Sequence, residues 1–162
     1  MNVLFRSLTE CLKKEMVHYQ ILIELAQIQK DLLVAGKVEP LTENTRLEEK
    51  EVFALGPLVA ERKELLAKMA IDFHVKDLGL DEAVQRCPVD EVEDFKKAVI
   101  ELVQSAKRLE EISRGNDKLL NNALTFANFT LRVINDGGKK KNYVPKATLK
   151  EENRPQFVNR VI

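Results

Sequence analysis

A single stripe in the second half of the chain limits the fold more than any other feature. Phe95, Val99, Leu102, Ala106, Leu109, Ser113, Asn116, Leu120, Ala123, Ala127, Thr130 and Ile134 follow one another at alternating intervals of four and three. An unbroken 4-3 repeat has a period of 3.5, the signature of a left-handed coiled coil. The spacing predicts a helix over 91–135, about 65 Å long at 1.5 Å per residue. It ends at Asn135-Asp136-Gly137-Gly138, a strong stop. So long an apolar seam needs partner helices along most of its length.

Two earlier segments can supply them. From residue 2 to 35, Phe5, Leu8, Leu12, Met16, Tyr19, Ile23, Ala26 and Leu33 mark one helical face, and Gly36 offers a C-cap. A second helix is expected over 41–78, with Leu55, Leu58, Leu65, Met69 and Phe73 on its stripe and Gly79 as its cap. Its first half, LTENTRLEEKE, is strongly polar and reads as loosely packed. Gly56-Pro57 interrupts it. An internal Pro costs on the order of 3 kcal/mol, so the chain either kinks there or starts a new helix. The stripe keeps its phase from Leu47 and Val52 to Leu55 and Leu58, which favours a kink near 56–57. Within the connection 79–90, Leu80, Val84 and Val89 are expected to cover one end. Short connections force alternating directions. The expected fold is all-α: an antiparallel three-helix coiled-coil bundle over 1–138, followed by a flexible basic tail over 139–162.

Composition agrees: 32% of residues are charged, aromatics are 6%, Trp is absent, and Gly and Pro number only six and five. The formal charge is zero but unevenly spread. From Lys139 onward five Lys and two Arg face two Glu, a net of +5, which leaves −5 on the body. The tail therefore meets an acidic partner or folds back on its own body. An acidic body disfavours nucleic acid as a partner. The first residues lack a secretory apolar core, and no stretch approaches the roughly 20 apolar residues that span a bilayer. Cys11 and Cys87 occupy unlike contexts, so no disulfide framework is implied and a reducing cytoplasm fits best.

Chemistry is sparse. His18 and His74 belong to no HExxH, no CxxC is present, and no phosphate-binding glycine motif occurs. Ser7, Ser105 and Ser113 lie in helical segments without a nearby base. Glu48-Glu49 and Glu110-Glu111 read as solvated faces with i,i+4 pairs. So thin a bundle is expected to lack a concave, desolvated pocket. Neither an enzyme, a cofactor nor a metal site is expected.

What remains lies at the end of the third helix. Ser113 and Asn116 stand on the seam beside Gly115, either as a polar layer that fixes register or as a weak point where a partner helix enters. Downstream, LLNNALTFANFTLRVI carries more apolar surface than a narrow seam can bury. Leu120, Leu124, Phe126, Phe129 and Val133 are the candidate partner-binding residues there. The tail adds Tyr143, Val144, Leu149, Phe157 and Val158, an unusual density of anchors for a spacer.

Taken together, the connection LLVAGKVEP, the charged ERKELLAKMA, the LGL loop, the stretch ISRGNDKLLNNALTFANFTLRVI and the trailing GGKKKNYVP resemble the FlgN family of flagellar export chaperones. The family often has Gly after that Tyr, where Val144 and Pro145 stand here. The resemblance implies a cytoplasmic, ATP-independent chaperone. Such a protein binds the C-terminal helical segment of hook–filament junction (hook-associated) proteins, prevents premature assembly and delivers them to the export gate. It places client binding from about residue 116 onward and makes Tyr143 the candidate for docking on the gate. The competing expectation is a structural coiled-coil adaptor that homo-oligomerises through the same stripe. Oligomeric state stays open.

Overall fold

The computed structural model describes residues 2–135, except for the side chains of 120, 123, 124 and 126–135. It is all-helical, with α1 (Asn2–Ala35), α2 (Val38–Asp72), α3 (Leu80–Gln85) and α4 (Val92–Asn135). α3 was not anticipated; it is a short helix within the expected connection.

Contacts along the helices set their directions. Asn44 of α2 reaches the carbonyl of Leu25, and the Cys11 thiol donates to the carbonyl of Leu58, so α1 and α2 run antiparallel. Lys13 pairs with Asp94, Gln20 with Ser105, and Asn116 with the carbonyl of Ala26, so α1 and α4 run parallel. α1 packs along both neighbours, whereas α2 and α4 share no extended backbone interface. The first helix therefore buries two stripes, where one had been expected. Beside Leu8, Leu12, Tyr19 and Ile23, it also covers Cys11, Glu15, Leu22 and Leu25. A helix with one partner needs one stripe; a central helix needs two.

Helix ends correct two further expectations. α2 starts at Val38 instead of 41, which puts Pro40 in the first turn, where a missing N–H costs nothing. It also stops at Asp72 instead of 78. His74 takes φ 55°, its N–H donates to Ile71 and that of Val75 to Ala70, closing a Schellman turn with His74 in the role usually taken by Gly. Gly36, at φ 66°, ends α1 by the same device, as its sequence suggested. Gly79 does not cap α2; it is the N-cap of α3. α2 passes through Gly56-Pro57 as one helix, which removes the separate-helix alternative.

One end of the molecule is closed and apolar. The Phe5 ring packs edge-on to Phe95 at 5.4 Å and tilted to Phe73 at 6.4 Å, with the Arg86 guanidinium over Phe73. Leu80 and Val84 pack on this core from α3, but Val89 is 89% exposed in the turn before α4. Its exposure follows from the tight Pro88–Glu91 turn, which leaves it at the tip.

Candidate functional site

The other end of the core is polar. Asn116, on the α4 seam, is buried and donates to the Ala26 carbonyl at 2.7 Å and to Gln29 Oε1 at 2.9 Å. Gln29 in turn donates to Glu48 Oε2, and Asn44 donates to Glu48 Oε1 and to the Leu25 carbonyl. Four side chains thus tie all three long helices together at one level. Burial pushes the Glu48 carboxyl up to about 7, with the Asn44 hydrogen bond opposing the shift. The polar-layer reading of Asn116 accordingly gains its partners. Ser113, expected in the same layer, is only half-buried.

Asn44 and Glu48 had been missed. Their segment reads as loosely packed and solvated, yet Asn44 is 5% exposed and Glu48 is half-buried. The signal was present in their i,i+4 spacing, which places both on one face toward α1. Glu49 and the Glu110–Arg114 pair do behave as a solvated surface.

Beyond this layer α4 outruns its neighbour. Asn116 stands beside Ala26, an offset of 90, and α1 ends at Ala35. Continued at that offset, the register reaches residue 125. The remaining ten residues of α4, to Asn135, extend about 15 Å past the end of α1 at 1.5 Å per residue. Phe126, Phe129 and Val133 lie on this last part of α4, and Leu120 and Leu124 just before it; the side chains of all five are outside the description. Tyr143, Val144, Leu149, Phe157 and Val158 lie outside the described residues altogether.

A concave site that the sequence did not announce lies toward the closed end. Between α2 and α4, over α1, a recess of about 400 Å³ opens, lined among others by Tyr19, Arg62, Leu66, Leu80, Leu102 and Val103. Next to it Glu15, fully buried, pairs with Arg62 at 3.0 Å. Burial drives Glu15 up to about 7 against the pull of Arg62. The Tyr19 hydroxyl, 2% exposed, has no hydrogen-bond partner among the described residues, and burial raises its ionisation well above the usual range. The Cys11 thiol is also pushed up, to about 11, chiefly by burial and then by Glu15. Such a thiol is a poor nucleophile and reads as core.

His18 is half-buried, with Nδ1 at 2.7 Å from Glu51. Among the described residues no group of three or more His, Cys, Asp or Glu is placed to hold a metal ion, and no helix is long and apolar enough to cross a membrane.

Compared with known proteins, the chain matches a family model described as FlgN protein over residues 1–151. No curated protein and no solved structure matches it.

Proposed function

The chain belongs to the FlgN family, and from that premise we propose that it is a cytoplasmic flagellar export chaperone. In this reading it holds the C-terminal helical segment of hook–filament junction proteins, prevents their premature assembly and hands them to the export gate. The three long helices serve as an antiparallel coiled-coil scaffold, and catalysis plays no part.

The observation that carries the reading is the continuation of α4 past α1. From Phe126 on, its LLNNALTFANFTLRVI stretch continues where the register leaves no α1 residue alongside, and that part is rich in apolar residues. Such a face suits an amphipathic client helix, read through anchors at helical spacing. Phe126, Phe129 and Val133 supply one set of anchors; Tyr143, Val144, Leu149, Phe157 and Val158 supply the second. Engaging the client through a tail that must rearrange to meet it gives modest, releasable affinity, which a hand-off requires. Tyr143 is the residue proposed to dock on the gate.

The test is a chain truncated after Ile134. By circular dichroism it keeps its helicity, and by calorimetry it loses binding to a peptide from the C-terminal helix of a junction protein. Undiminished binding by the truncated chain would remove the tail from the site; no binding by the full chain would end the chaperone reading.

A further inference from the structure

The recess between α2 and α4 has no role in that reading, and the charge asymmetry of the chain points to its occupant. We propose that, without a client, the chain's own tail folds back along α2 and seats Phe157 and Val158 in this recess. The inference rests on the chaperone reading only for what displaces the tail.

Three observations support the tail over other occupants. The first is charge. Between 38 and 51, α2 carries five Glu against Arg46 and Lys50. Glu39, Glu43 and Glu49 of that set are exposed. This acidic half of α2 lies at the polar end, toward which α4 runs before the Lys139–Lys141 cluster. The recess itself has Arg62 and Lys63 on its α2 side, so it receives apolar anchors while the acidic half receives the lysines.

The second observation is reach. From Asn135 back to the level of Ala106 is about 44 Å along the helix axis. Residues 136–157 span up to about 73 Å when extended. The chain closes the distance with slack for Pro145 and Pro155.

The third is the shape and lining of the recess. Leu66, Leu80, Leu102 and Val103 form an apolar wall, and the unpartnered Tyr19 hydroxyl offers a donor to a backbone carbonyl of an extended segment. A buried hydroxyl without a partner is costly, and such a segment would satisfy it.

The chain has no Trp, so Phe157→Trp places a single reporter in the full-length protein. Its emission is expected to be blue-shifted without client. It moves to the red when Val103→Lys charges the recess, and likewise in a Glu39→Lys, Glu43→Lys, Glu49→Lys variant, whose changes are at exposed positions and leave the fold intact. An exposed-indole spectrum in the parent, or a blue shift that survives both variants, overturns the proposal. So does a blue shift lost on dilution together with a dimer by sedimentation, which would make a second copy the occupant. Because client and recess compete for the same tail anchors, Phe157 and Val158, Val103→Lys also lowers the apparent Kd for the junction-protein peptide several-fold; an unchanged Kd overturns the competition. If the chaperone reading failed instead, that peptide would not bind at all while the fluorescence result stood.

Discussion

Glu48 accepts hydrogen bonds at both carboxylate oxygens from the amides of Asn44 and Gln29, yet burial still holds its carboxyl near 7. An unfolded Glu titrates near 4.3, so between about 4.3 and 7 the folded chain binds a proton that the unfolded chain has released. Stability is then fully supported below that window and declines as pH rises through it. Glu15 titrates in the same window for the same first cause, burial. The unfolding free energy from urea melts is therefore expected to fall from pH 5 to pH 8, by up to about 2–3 kcal/mol for each of the two carboxyls. Glu48→Gln flattens the profile without abolishing it, since Glu15 remains; an unaltered slope would show that Glu48 is solvated. The Glu15–Arg62 pair allows a second measurement. Glu15→Ala takes the buried carboxylate away from a guanidinium 7% exposed and is expected to cost about 3–5 kcal/mol in urea melts, whereas Glu15→Met with Arg62→Met recovers most of the loss. A double variant as unstable as the single would mean the pair itself is net stabilising.

Among the elements, α2 departs furthest from local preference. Gly56 and Pro57 sit inside a 35-residue helix, both exposed, and a Cβ on Gly56 would meet nothing within 4 Å. Gly56→Ala is therefore expected to stabilise by about 1 kcal/mol and Pro57→Ala by up to about 3, read as a rise in thermal midpoint. A fall in either case would show that the pair accommodates a shape the helix needs. The lengths of α1 and α4 and the first half of the α4 stripe were legible because apolar spacing alone carries them: Phe95, Val99, Leu102, Ala106 and Leu109 are all buried. The ends of α2 were not. They depend on His74 adopting a left-handed conformation and on Pro40 entering the first turn, and neither leaves a periodic trace. Leu47, read as part of the stripe, is 43% exposed, because Asn44 and Glu48 take the face toward α1 there. Which helix stands in the middle was equally hidden, since spacing gives the phase of a stripe but not how many neighbours it serves. The recess followed from that arrangement and was missed with it. Of the proposed client face, the sequence supplied the residues, and the fold adds only the register by which α1 ends.

At the scale of the whole molecule, the two ends differ in kind. The closed end joins α1, the C-cap of α2 and α4 through the Phe5, Phe73 and Phe95 rings, with Leu80 and Val84 of α3 packed on the same core, whereas the far end has a layer of amides and one carboxyl, beyond which α4 continues. A polar layer costs stability and fixes alignment, so it holds the register that sets where α4 leaves its neighbour. In the function proposed above, the apolar residues past that exit serve a partner. Phe126→Ser with Phe129→Ser is accordingly expected to leave the thermal midpoint within a few degrees of the parent, since burial of a core Phe would instead be felt as about 3–5 kcal/mol on truncation. The same variant is expected to weaken binding of the junction-protein peptide at least tenfold, or about 1.4 kcal/mol. Calorimetry and a melt on one preparation separate the alternatives. A large loss of stability would place both rings inside the bundle, and unchanged affinity would move the client to another face.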